Sequence, residues 1–552
     1  MSIVATTSSD GPSGSNEFQP GTKFPSTTSS SPLTPHHGAA NNEESEPPQT
    51  QRADGKVEIK EEDYYEKLGF SFPTWKKWLI LCVIFLVQVS MNFNTSIYAN
   101  GLVGMAEEFD LSLQTARIGQ MIFLVAYGFG SELWAPWSEE IGRWPVMQAS
   151  LFLVNIWQIP CALAPNFATI VIGRFLGGIS SAGGSVTLGM IADMWEVDDG
   201  QYAVAFIVFS SVGGSVVGPI VGGFAETYLH WRWVFWLSLV FGAAVQAVHF
   251  FVPETRATCM LDRIAQKRRK VGIEENVWGP NELKGKRFDM REILRVWARP
   301  FVMFVREPIV FCLSLLSGFS DALIFTFFEC FGIVWKQWGF SKIAIGLSFI
   351  PILISYIISY LSYIPWIRRE QRIRRVNSDA PPEIKLTWLL FLAPLEVIGL
   401  FGFAWTSLGP SHNIPWIVPM IFSGCIAIAN YAIYQGTIDY MVAAYGPYSA
   451  SATGGNALAR DFLAGISAMY AIPLYQNVGG KLSLEWASTL LGFIAMVVIS
   501  PLYVFYYYGP QIRERSRFAQ TLEHERKVRG GHGALAEKDN SPYEAPQHQE
   551  LA

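Results

Sequence analysis

Apolar residues in this chain come in long unbroken runs separated by short polar interruptions. A helix needs about 20 largely apolar residues to cross the hydrocarbon core of a bilayer. Trp78–Ala106 contains no charge at all, enough for one span and part of a loop. The pattern predicts membrane helices near 78–98, 117–137, 145–163, 168–190, 203–225 and 232–252. A second series is predicted near 308–333, 343–366, 386–406, 414–438, 449–473 and 486–508. The 42-residue uncharged run Val397–Ile438 must hold two segments, with Pro410, His412 and Pro415 marking the turn between them. The expectation is an all-α integral membrane protein of twelve spans in two six-helix halves.

The polar stretches support that division. Of 41 basic and 46 acidic residues, 62 fall in 1–77, 253–307, 368–385 and 513–552, which leaves 25 for the other 362 positions. A soluble domain carries about 25% charged residues, so those 362 residues cannot build a water-facing surface. Residues 253–307 hold 13 Lys/Arg, including the run Lys267-Arg268-Arg269-Lys270, and 368–385 holds Arg368, Arg369, Arg372, Arg374, Arg375 and Lys385. The positive-inside rule puts both loops in the cytosol, and with twelve spans both termini follow. The expected divisions are a disordered cytosolic tail over 1–72, helical bundles over 73–252 and 308–510, a central loop over 253–307, and a C-terminal tail over 511–552. Two six-span halves joined by a polar loop suit a repeat-built secondary transporter.

Composition narrows the chemistry. A net charge of −5 without a basic surface argues against nucleic acid as a partner. The cysteines Cys82, Cys161, Cys259, Cys312, Cys330 and Cys425 lie far apart and make neither a disulfide framework nor a metal site. No metal or cofactor is expected. The N-terminus lacks a signal pattern, so the first span would act as the membrane-targeting signal. No GxxxxGK[ST] phosphate loop occurs, which disfavours ATP as the direct energy source. No HxxxxD or HExxH is present either, so an intramembrane enzyme is not expected and no catalytic residue is assigned.

Three local patterns carry chemistry. After the second span, the chain reads Ala135-Pro-Trp-Ser-Glu-Glu-Ile-Gly-Arg-Trp-Pro. A tight turn there needs a small residue at Gly142, and Glu139 with Arg143, four apart, would form a charge pair gating the loop. In the fourth span Arg174 sits inside an apolar run, where a cation is functional by default. In the fifth span, Gly214, Gly218 and Gly222 line one helix face, with Pro219 and Gly223 beside them. Glycines four apart admit a neighbouring backbone closely, and the proline removes a backbone donor and favours a kink.

These motifs resemble those of a fungal major facilitator superfamily transporter of the twelve-span drug:proton antiporter family. The 135–143 loop resembles GxLaDxxGRk, Arg174 and Gly178 match RxxqGxg, and Gly214–Gly223 matches GxxxGPxxGG. Trp231-Arg-Trp-Val-Phe-Trp and Pro253-Glu-Thr-Arg are similar to segments of fungal members, and the likeness covers about residues 70–510. The loop departs from the family pattern at Ala135, Glu139 and Trp144, and the fourth span departs at Gly177. The resemblance implies export of small organic molecules coupled to proton entry, by alternating access around a central cavity. It assigns Arg174 to proton coupling and Gly218–Pro219 to the antiport direction.

Proton coupling needs a buried carboxylate that loads and releases near neutral pH. Asp321 and Glu329 in the seventh span lead. They are about 12 Å apart along a helix axis, with directions about 80° apart, so both could face one cavity. Glu132, Glu396 and the pair Arg460-Asp461 are secondary candidates. Glu132 would cap the loop network, and Arg460-Asp461 would be either an internal ion pair or part of a substrate site. Asp193, Glu196, Asp198 and Asp199 read as a solvated acidic loop. The expected partners are a small-molecule substrate (a drug, toxicant or secondary metabolite), the proton gradient and the lipid bilayer. A functional monomer in the plasma membrane is expected, with the vacuolar membrane as the second location. An uptake symporter for a nutrient or polyamine-like cation, or a non-transporting sensor on the same fold, remains the alternative.

Overall fold

The computed structural model describes residues 56–272, 276–283, 290–377, 380–516 and 518–519. Their helices follow the apolar runs. In the first half they are α1 (Thr74–Ser96), α2 (Leu102–Glu108), α3 (Leu113–Ala116), α4 (Ile118–Glu140), α5 (Arg143–Ala162), α6 (Phe167–Ile179), α7 (Gly183–Ala192), α8 (Val197–Tyr228) and α9 (Trp233–His249). The central loop contributes α10 (Ala257–Val271) and α11 (Met290–Arg306). The second half holds α12 (Pro308–Val334), α13 (Lys342–Leu347), α14 (Ile350–Val376), α15 (Leu386–Leu392), α16 (Pro394–Thr406), α17 (Ile417–Tyr445), α18 (Ser449–Asn477) and α19 (Ser483–Glu514).

Among the described residues, nine helical stretches are long and apolar enough to cross a membrane, and α9 is a shorter apolar helix. Helices α4 and α5 occupy the remaining predicted positions. Large apolar side chains stay exposed on the helix surfaces: Ile172, Val240, Phe391 and Val497 are 59%, 64%, 69% and 71% exposed. Apolar exposure on that scale marks a surface made for lipid.

Three predicted spans are broken. The fourth is split into α6 and α7 at Ser180–Ala182, the eighth into α13 and α14, and the ninth into α15 and α16 before Pro394. Non-helical backbone at membrane depth survives only when protein satisfies it. At the first break Ser150 Oγ donates to the Ser180 carbonyl at 2.7 Å and accepts from the Ala182 N–H at 2.9 Å. A serine on α5 therefore replaces the missing ladder bonds.

Outside the helices, β1 (Val57–Glu58) pairs in parallel with β2 (Val277–Trp278), with Val57 opposite Val277. Ile59, Leu68, Leu261, Ala265 and Val277 form a small apolar core there. The tail expected to be disordered is thus structured from residue 57 onward, because Ile59 and Leu68 find apolar partners on the central loop. Residues 1–55 of that tail, and most of the C-terminal tail, lie outside the described residues.

Candidate functional site

A small cavity lies between the halves, at the crossing of α1, α4 and α8 with α12 and α18. Asn92, Thr95, Tyr127 and Ser215 form a neutral, hydrogen-bonding wall from the first half. Asp321, Arg460 and Asp461 form a charged wall from the second. Helices α12 and α18 approach closely because Gly318 has no side chain; a Cβ there would lie 2.8 Å from the Ala459 carbonyl oxygen. That approach brings Asp321 to Arg460, with Nε 3.8 Å from Oδ2. On its other side Arg460 Nη2 reaches Asp461 Oδ1 at 3.4 Å, and the guanidinium lies 3.9 Å from the centre of the Tyr434 ring.

The charges do not balance. Two carboxylates face one guanidinium, and buried ions cost several kcal/mol each when uncompensated. Arg460 Nη1 and Asp461 Oδ2 are buried without a hydrogen-bond partner among the described residues. A site with a spare donor, a spare acceptor and one excess negative charge can take a proton or a ligand that carries hydrogen-bonding groups.

Glu329 does not join this cavity. It is buried, and Arg117, at the start of α4, donates to it through Nε at 2.6 Å. The pair ties the first half to the second at one end of the cavity. Gln114 adds a bond across the halves to the Met469 carbonyl at 2.7 Å. Sequence reading missed Arg117 because a charge at the head of an apolar run marks a boundary, and nothing local reveals a partner over 200 positions away.

The secondary candidates also separate. Glu396 is fully buried on α16, and its Oε2 accepts from Ser320 at 3.0 Å. Ser320 in turn accepts from Asn430, whose Oδ1 accepts from the Tyr356 hydroxyl at 3.0 Å. Glu132 lies away from the loop network it was expected to cap. It packs against Gly454 of α18, where a Cβ would meet its carboxylate. Arg460 and Asp461 pair with each other, and both line the cavity.

Arg174 is buried among α1, α4 and α6, and among the described residues it pairs with no carboxylate. It donates to the Gly119 and Asn94 carbonyls at 3.2 and 3.1 Å and to Asn94 Oδ1 at 3.0 Å. The Phe123 ring, 3.9 Å from its guanidinium carbon, supplies a cation–π face.

In the loop motif the expected Glu139–Arg143 pair is not formed. Arg143 bonds Asp193 at 2.9 Å and Ser138 at 2.6 Å, whereas Glu139 is exposed. Asp193, expected to be solvated, is buried and also takes Arg256 at 3.2 Å. Spatial neighbours from the ends of α7 and α9 outcompete the sequence neighbour on α4. Glu254 completes the knot by accepting from the Arg143 and Arg256 N–H groups at 2.9 and 3.0 Å. Gly142 has φ +115°, where only glycine is unstrained, and Glu254 fills the space a Cβ would need.

The fifth-span glycines divide their work between two neighbours. A Cβ at Gly214 would lie 2.8 Å from Val89 Cα, and one at Gly218 would strike Ser96, both on α1. Gly223 instead faces the other half, where a Cβ would lie 3.2 Å from Gly346 Cα on α13.

Residues 84–469 match the family model described as Major Facilitator Superfamily. The chain is 31% identical over 458 residues to the MFS-type transporter traF of Penicillium crustosum, covering 82% of this chain and 90% of that one. It is 33% identical over 402 residues to the efflux pump atB of Aspergillus terreus, covering 71% and 83%. Against the citrinin biosynthesis cluster MFS transporter of Monascus ruber it is 28% identical over 461 residues, covering 82% and 90%. In fold it is similar to the xylose transporter of E. coli, with a TM-score of 0.51 at 16% identity over 78% of this chain and 98% of that one. The chain belongs to the major facilitator superfamily: it is a multi-pass membrane transporter and not an enzyme.

Proposed function

We propose that this protein is a proton-coupled exporter of small organic compounds, including drugs, toxicants or secondary metabolites. It would work as a monomer in the plasma membrane, through twelve spans with both termini in the cytosol. The observation that carries this reading is the cavity between the halves, where Arg460 stands between Asp321 and Asp461 and leaves one negative charge over. In the proposed cycle a proton entering from outside neutralises Asp321 and loosens its hold on Arg460. Substrate from the cytosolic side then competes for the freed hydrogen-bonding groups. The Arg117–Glu329 pair closes the extracellular end, and Glu132 against Gly454 lies toward the cytosolic end. Arg174 keeps α1, α4 and α6 together while the halves rock, and Gly218–Pro219 favours the antiport direction. Relatives named as an efflux pump and as a biosynthesis-cluster transporter support export.

The direction is tested by loading cells with a fluorescent apolar xenobiotic. Cells expressing the protein should retain less dye than cells lacking it, and a protonophore should abolish the difference. Gradient-dependent accumulation of dye on expression would overturn the export reading. Asp321→Asn should remove the protonophore-sensitive component and leave the protein at the membrane.

A further inference from the structure

We propose that α11 is a membrane-surface helix whose arginine stripe binds anionic phospholipid headgroups of the leaflet beside the central loop, bracing the two halves there. The inference needs the helices to cross a bilayer, but it does not depend on export or proton coupling.

Four features of α11 carry it. At 3.6 residues per turn, Arg291, Arg295, Arg299 and Arg306 fall within an arc of about 80°. In sequence the helix sets these four arginines against one acidic residue, Glu292. The opposite side faces protein, where the Trp297 ring N–H donates to the Leu133 carbonyl of α4 at 3.2 Å, and Met303, beside the stripe, is fully buried. Between these two faces lies an apolar flank open to its surroundings, with Leu294, Phe301 and Val305 at 53%, 38% and 79% exposed. Phe301 also stacks on Phe129, itself 42% exposed, with ring centres 6.0 Å apart. One flank for acyl chains and one for headgroups is the division expected of a helix lying in the interface plane.

Position along the chain agrees. Only Glu307 separates α11 from α12, whose first residue Pro308 opens an apolar span. The C-terminal end of α11 is therefore held at the membrane boundary. The helix also bridges the halves, because Trp297 holds α4 while Gly455 of α18 packs on the Pro300 carbonyl and the Phe304 side chain. Arg299 lies over the Tyr448 ring at 5.5 Å, whereas Arg291, Arg295 and Arg306 are exposed. A juxtamembrane basic cluster attracts an anionic leaflet within a Debye length, and the apolar flank selects a lipid over a soluble anion.

The test uses the full chain in detergent micelles containing equal phosphatidylcholine and phosphatidylserine, read by native mass spectrometry. Phosphatidylserine adducts should predominate and persist in millimolar inorganic phosphate. Arg295→Gln/Arg306→Gln should reduce them about tenfold, whereas Lys336→Gln/Lys481→Gln should leave them intact. Equal adducts of both lipids, unchanged adducts in the arginine variant, or displacement by phosphate would each overturn the proposal. Should the double variant fail to fold, Arg295→Gln and Arg306→Gln singly make the same comparison, with unchanged adducts in both counting against it. Transport assayed in parallel separates this outcome from that of the export reading.

Discussion

Arg460 stabilises the two carboxylates beside it, and they in turn make a buried guanidinium tolerable. Removing one member of such a set is costly, since the charges left behind stay buried. We expect Arg460→Gln to destabilise the protein by about 3–5 kcal/mol, visible as a lowered melting temperature in detergent. Arg460→Gln combined with Asp321→Asn and Asp461→Asn should recover much of that loss, because no unpaired charge remains. Failure of the triple variant to recover would show that Arg460 acts through packing on Tyr434. Asp321, Arg460 and Asp461 were legible in the sequence because so few charges occur in apolar runs. Their convergence was not, because it depends on how closely Gly318 lets α12 approach α18. Arg117 was missed and Asp193 misread for the same reason: each sits at the end of an apolar run, and its partner lies far away in sequence.

At the scale of elements, apolar run lengths located the helices, but breaks within them followed from side chains elsewhere. Ser150 on α5 lets the fourth span open between α6 and α7, and no residue inside that span announces it. The β1–β2 clasp is a second case. Glu282 receives both Nη atoms of Arg269, at 2.8 and 2.7 Å, and the Gly279 N–H at 3.1 Å. The hydrogen bonds from Arg269 lower the Glu282 carboxyl to a pKa of about 2. A depressed carboxyl contributes stability above its unfolded value and loses it as pH falls through the folded one. The clasp should therefore hold at neutral pH and weaken progressively below about pH 4.5, through pH 2. Amide exchange at Val57–Ile59 should rise over that window, and Glu282→Gln should raise it at neutral pH without affecting the spans. Unchanged exchange in Glu282→Gln would show that the apolar core around Leu261 holds the clasp alone.

At the scale of the whole molecule, the two halves touch on both sides of the cavity, through Arg117–Glu329 and through Glu132 against Gly454. Arg117–Glu329 is a buried charged tie across the halves at the end away from the central loop, and the more exposed Lys342–Glu226 pair, at 3.2 Å, is a second. Every ~1.4 kcal/mol removed from a tie made in one state only shifts the ratio of states tenfold. Glu329→Gln should accordingly raise the rate at which a membrane-impermeant thiol reagent, added outside, labels Asn92→Cys by about tenfold or more. Labelling should be measured in a Cys82→Ser background, since Cys82 is exposed. An unchanged rate would mean that Gly223 against Gly346, Gln114 on Met469 and the Lys342–Glu226 pair close that end without Arg117–Glu329.

By itself the sequence determined the class, the helical segments and a short roster of intramembrane charges. Those follow from transfer energetics, which act residue by residue: a run that cannot face water must face lipid or protein. Only the tertiary structure decided which charges share a cavity, which lock the halves and which hold a loop. Partner choice depends on the distance and burial reached when helices pack. It turned Glu329 from a cavity carboxylate into one half of a latch, and Asp193 from a solvated residue into the centre of a buried knot.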